Sequence, residues 1–175
     1  MIDTLIGKLM ETSIKIAIKT YKKHGGHMMK YEIVNLEEKK VVGVSALTSN
    51  SDPKMHETIA SLWEKLYQQG VYETINNKIN THAIGLYSDY SKEQYCVTAG
   101  IEVSKVGNEE LTVKTIPAGK YAKFSIHGHM VEAVQKAWSE IWAMELERSF
   151  TGDFEEYLNA DWENADIDIY IALKG

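Results

Sequence analysis

One cysteine, two prolines and no long apolar run set the first limits on this chain of 175 residues. A lone Cys96 excludes an internal disulfide and suits a reducing cytosol, so a cytoplasmic protein is expected. With Pro53 and Pro117 as its only prolines and 44% apolar residues, the chain is not a low-complexity or disordered one. No apolar run approaches the roughly 20 residues of a membrane span. Asp3, Lys8 and Glu11 interrupt the first apolar residues, which excludes a secretory core and stable membrane insertion. Phosphate loops, dinucleotide fingerprints and Gly-x-Ser-x-Gly elbows are all missing, so no cofactor and no catalytic residue is assigned. His127-Gly128-His129 brings two imidazoles together without a third ligand, which reads as a surface loop and not as a metal site.

Charge is unevenly spread. Residues 1–30 hold six lysines against Asp3 and Glu11, a balance of +4. The whole chain carries −6, which leaves −10 for residues 31–175. Such a body repels nucleic-acid phosphates and has no basic stripe, so direct DNA binding is not expected. Acidity of this kind keeps a protein soluble and also favours cationic ligands.

What is present is a repeat. Residues 31–45 lie over residues 111–125 at a constant offset of 80, with Ile33 on Val113, Leu36 on Ile116, Val42 on Ala122 and Val44 on Phe124. Each copy reads as two strands around a short break. A helix follows in each. Met55, Ile59, Leu62, Trp63, Leu66 and Tyr67 mark one helical face, and Met130, Val134, Ala137, Trp138, Ile141 and Trp142 mark the other. Asp52 and Pro53 suit the N-cap and first position of the first helix. Two strands then close each copy, Ile84–Tyr87 with Tyr95–Val103 and Phe154–Tyr157 with Ala165–Leu173.

The expected fold is therefore α+β: a duplicated βαββ unit forming one antiparallel sheet with two main helices on one face. Repeat one covers 30–105 and repeat two 110–174, within a domain of 30–175. Residues 1–29 read as an amphipathic helical extension, from Ile2, Leu5, Ile6, Leu9, Met10, Ile14, Ala17 and Tyr21, ended by Gly25-Gly26. Docking on the domain or a homodimer contact is the role expected of it. A groove between two like halves is a common place for a ligand pocket.

The motifs Ile116-Pro117-Ala118-Gly119-Lys120-Tyr121-Ala122-Lys123-Phe124, Trp138 and Phe154-Glu155-Glu156-Tyr157, in that order, resemble the gyrase-inhibitor-like family of effector-binding domains. The first copy is similar in Trp63, Gly85-Leu86-Tyr87 and Ala99–Val103. Members of that family include ligand domains of multidrug-responsive transcription regulators. The resemblance implies an effector sensor or sequestering module that binds an amphipathic, cationic small molecule in an aromatic pocket with an acidic residue. It also implies two alternatives: a hydrolase of strained electrophilic toxins acting through Glu155, or a gyrase- or regulator-interacting protein. The chain departs from the family pattern at Met144-Glu145-Leu146-Glu147, where relatives read Glu-Trp-Leu-Pro.

Carried over by motif, the ligand-binding residues are Glu155, Tyr157, Trp138, Trp142, Tyr87, Tyr121 and Trp63. Aromatic faces would hold a cation by stacking and cation–π contact. Trp63 and Trp138 fit the core of their helices as well as a pocket, and the tyrosines fit sheet packing. Glu155 and Glu156 face opposite sides of a strand, and the family motif rather than the spacing selects Glu155. Glu102 and Glu145 are secondary candidates that also read as surface residues.

Overall fold

The computed structural model describes residues 29–175. The expected N-terminal helix, and any dimer contact made through it, falls on residues 1–28 and so outside the described part. Eight strands and three helices follow in the order β1 (Glu32–Leu36), β2 (Lys39–Thr48), α1 (Met55–Tyr67), α2 (Val71–Thr74), β3 (Lys78–Ser88), β4 (Tyr95–Val103), β5 (Thr112–Ile116), β6 (Gly119–Gly128), α3 (Met130–Trp142), β7 (Asp153–Tyr157) and β8 (Ala165–Ala172). All strands join one antiparallel sheet in the order β1-β6-β8-β7-β3-β4-β2-β5. Exchanging each strand with the one four places away in the chain turns this order into its own reverse. The α+β fold with both main helices on one face is the one expected.

Connectivity forces the sheet to curl. β1 lies at one edge and β2 is the seventh strand across, yet only two residues join Leu36 to Lys39. In a flat sheet these strands would sit about 29 Å apart, at roughly 4.8 Å per strand. Three Cα steps reach only about 11 Å. The same holds for β5 and β6, joined by Pro117 and Ala118.

The curl explains two separate cores. On the outer face, Leu62 and Leu66 of α1 pack on Val42, Ala83, Val97, Ala99 and Ile101. Ala137 and Ile141 of α3 pack on Phe124, Ile167, Ile169 and Ile171. Among the described residues no helix covers the other face, yet Val41, Ile84, Leu86, Ile116, Tyr121 and Phe154 there are at most 1% exposed. They are enclosed by the sheet itself, with Phe154 stacked on Tyr170 at 4.5 Å between ring centroids.

Three local expectations need correction. α1 starts at Met55, because the Asp52 side chain accepts the Lys54 N–H at 2.8 Å and closes a turn before the helix instead of capping it. β3 begins at Lys78, six residues before the expected Ile84; Lys78–His82 are mostly polar and the one large apolar residue among them, Ile79, faces out at 51% exposure, so no apolar pattern marks the strand. His127 and Gly128 end β6 and are not part of a free loop. The His127 ring meets Asp166 at 2.8 Å.

Candidate functional site

Strands β3 and β7 are the middle pair of the sheet, and above them α1 and α3 stand apart. The gap is a cleft of about 2090 Å³. Each helix presents an apolar stripe wider than its core contact. In α1, Leu62 and Leu66 are buried, while Met55, Ile59 and Trp63 line the cleft. In α3, Ala137 and Ile141 are buried, while Met130, Val134, Trp138 and Trp142 line it. The one-residue offset between the two rows of an α-helical stripe turns one row to the sheet and the other to the opening.

Ala83, Tyr87, Glu155 and Tyr157, alternate residues of the two central strands, supply the floor. Ala83 pairs with Tyr157, Gly85 with Glu155 and Tyr87 with Asp153, all on the outer face. A Cβ on Gly85 would stand 3.1 Å from Glu155 Oε2 and 3.2 Å from Trp63 Cζ2. The bare glycine therefore makes room for the carboxylate and the indole together.

Glu155 is 2% exposed. Its Oε1 accepts hydrogen bonds from Trp138 Nε1 (2.7 Å) and the Tyr87 hydroxyl (3.2 Å), and its Oε2 accepts one from the Tyr157 hydroxyl (2.6 Å). Among the described residues no cationic side chain pairs with it. Burial pushes its pKa up, and the three donors pull it back only in part. Burial and the carboxylate's charge hold the Tyr87 and Tyr157 hydroxyls well above the ordinary phenol range, so both stay protonated donors.

Aromatic rings run outward from this point. Trp63 meets Tyr157 edge-on at 5.5 Å. A second row passes from Trp142 to Trp138 (5.9 Å), Tyr87 (5.6 Å), Tyr95 (6.1 Å), Tyr90 (6.0 Å) and Phe150 (5.8 Å). Six half-exposed apolar side chains, Leu47, Tyr67, Val131, Phe150, Leu158 and Trp162, ring the mouth.

Of the seven residues expected from sequence, Glu155, Tyr157, Trp138, Trp142, Tyr87 and Trp63 meet in this one cleft. Tyr121 does not. It is 1% exposed inside the curled sheet, on the opposite face, where its hydroxyl donates to the Pro117 carbonyl at 2.7 Å. Its motif neighbours Ala122 and Phe124 point outward, and strand alternation sends Tyr121 the other way. Glu156 also faces away and meets the His82 ring at 2.9 Å. Glu102 pairs with Lys39 at 3.0 Å, and Glu145 is exposed; neither lines the cleft. Sequence reasoning missed Tyr90, Tyr95, Arg148 and Phe150, which line it. Tyr90 and Phe150 lie in loops with no periodicity to flag them. Among the described residues no group of three or more metal-ligating side chains occurs, and no helix is long and apolar enough to cross a membrane.

The cleft thus joins aromatic walls to a buried carboxylate that has no cationic partner among the described residues. The sequence matches the Cass2 family, described as integron-associated effector binding protein, over residues 32–173. The chain belongs to this effector-binding family, a class of small-molecule-binding domains. Among solved structures, SAV2435 bound to tetraphenylphosphonium superposes with a TM-score of 0.72 at 22% identity, covering 84% of this chain and 95% of that one. An integron cassette protein from the mobile metagenome of Vibrio cholerae gives 0.65 at 26% identity, over 84% and 98%. The C-terminal domain of EcmrR gives 0.55 at 15% identity, over 83% and 98%. Among curated proteins none matches the sequence.

Proposed function

We propose that this chain captures lipophilic organic cations in the cleft between α1 and α3, as an effector sensor or a sequestering module. The observation that carries the reading is Glu155, a buried carboxylate held by three neutral donors and paired with no cation among the described residues. An ionised carboxylate out of water is costly unless a positive charge joins it. A ligand that brings that charge together with apolar surface gains at both ends. Aromatic faces at Trp63, Trp138, Trp142, Tyr87 and Tyr157 add cation–π attraction, up to about 2 kcal/mol each where water is excluded. The tetraphenylphosphonium bound to SAV2435 is a compound of this kind and supports the reading.

Tryptophan-fluorescence titration with tetraphenylphosphonium and with neutral triphenylphosphine oxide tests it. The cation binds in the micromolar range or tighter, the neutral compound binds at least tenfold more weakly, and Glu155→Gln removes the difference. Equal affinity for the two compounds in the unaltered protein would sink the reading.

A further inference from the structure

Behind the cleft lining, against Arg148, lies a second carboxylate. Asp153 lies two residues from Glu155 on the same face of β7, about 7 Å along the strand. It is fully buried. Its Oδ2 accepts from Arg148 Nη2 (2.6 Å) and from the Tyr90 hydroxyl (2.7 Å), and its Oδ1 accepts the Ala172 N–H (2.9 Å). Here the negative charge is already met.

Arg148 is not used up by this pairing. A guanidinium has five N–H donors, and among the described residues Arg148 bonds only through Nη2. Its Nε is buried and has no partner among the described residues, and its side chain, 17% exposed, lines the cleft. Buried donors without acceptors are rare, and each calls for an explanation. Two further observations fall at the same end. The guanidinium lies 4.4 Å from the Phe150 ring centroid, and Phe150 has a φ of 56°, in the left-handed region that a bulky residue seldom enters. Strain of this sort gathers at ligand sites. Thr48 also lines the cleft, 4% exposed, with its Oγ1 unpartnered among the described residues, and pairs across the sheet with Tyr95.

We propose that this end of the cleft is an acceptor subsite, in which Arg148 donates to a carbonyl oxygen of a ligand whose cationic head sits at Glu155. The inference rests on the reading of Glu155 as the seat of a cation. A neutral carbonyl fits better than a carboxylate, because Asp153 already balances Arg148 and a further anion would face both Asp153 and Glu155. The preferred ligand class is an amphipathic cation carrying a ketone, amide or ester about 7 Å from its charge, the spacing of the two carboxylate positions along β7.

The test compares oxopentyl-triphenylphosphonium with pentyl-triphenylphosphonium by fluorescence titration and calorimetry. The ketone binds about tenfold more tightly, as a hydrogen bond from a charged donor predicts. Arg148→Lys keeps a charge beside Asp153 but loses Nε and the planar fork. The double variant Arg148→Met, Asp153→Asn removes the donors without leaving a buried charge unpaired, and circular dichroism checks that it is folded. In each folded variant the two probes bind alike. Equal affinity in the unaltered protein, or a ketone preference that survives both changes, overturns the subsite. Failure of both probes to bind overturns the Glu155 reading itself, and so is distinguishable.

Discussion

Glu155 ties stability and binding to pH with opposite signs. Its pKa in the folded, empty protein is raised, mainly by burial. Protonation therefore favours the folded state, and ionisation at neutral pH costs stability. That cost fades as pH falls through the raised pKa toward the ordinary carboxylate range. Glu155→Gln is accordingly expected to raise the melting temperature of the empty protein at neutral pH, with the gap closing at mildly acidic pH. Cation binding needs the ionised form, so its dissociation constant should rise up to tenfold per pH unit below that pKa. Calorimetry in buffers of different ionisation enthalpy would detect the proton released on binding. Gly85→Val tests the floor. Its side chain meets Glu155 and Trp63 at contacts already tight for a Cβ, so cation affinity falls at least tenfold and overpacking costs about 1–3 kcal/mol by chemical denaturation. Phe150→Gly relieves backbone strain of roughly 1–3 kcal/mol but frees the unfolded chain by about 1 kcal/mol. A small net change in stability with weaker ligand binding is the expected pair of results.

At the scale of the element, α1 and α3 each divide their apolar stripe between core and cleft. Leu62→Ala should cost about 2–5 kcal/mol, because Leu62 is 2% exposed and packed on the sheet. Trp63→Ala, one position on, should weaken ligand binding more than it weakens the fold. Both stripes were legible in the sequence through their 3.6-residue period. The division within them was not, since periodicity marks which side is apolar and cannot say which part another layer covers. The start of α1 was misread because Asp52 is as good a turn former as a cap. The first half of β3 was illegible for a different reason: its residues are mostly polar, and its large apolar one, Ile79, sits on the exposed side. Strand pairing itself depends on small residues. A Cβ on Gly43 would fall 2.0 Å from the Ala99 carbonyl oxygen, in backbone that cannot move aside. Gly43→Ala should split β2 from β4 and leave little folded protein, visible as loss of the cooperative melting transition.

For the whole molecule, the curl is the organising feature. Two-residue links join strands that the sheet order sets far apart, so the inner face closes on Ile84, Leu86, Tyr121 and Phe154 while the outer face carries the helices. Hydrogen exchange should show the slowest amides in β3 and β7, paired on both sides at the centre, and the fastest in the edge strands β1 and β5. Protection as high at the edges as at the centre would count against this arrangement of strands.

The sequence alone determined the α+β class and the apolar stripes of the two main helices, and its motifs named six side chains that the fold brings into one cleft. These follow from short-range regularities: the helical and strand periods, and motif spacing along one chain. Tertiary structure alone decided that Tyr121 lies inside the curl, that Glu155 is buried against Trp138, Tyr87 and Tyr157, and that Tyr90, Tyr95, Arg148 and Phe150 line the cleft. The physical reason is that these positions depend on which strands become neighbours and which face the sheet encloses. Local preferences of the chain do not encode either, because both arise only when β3 pairs with β7 and the sheet closes on itself.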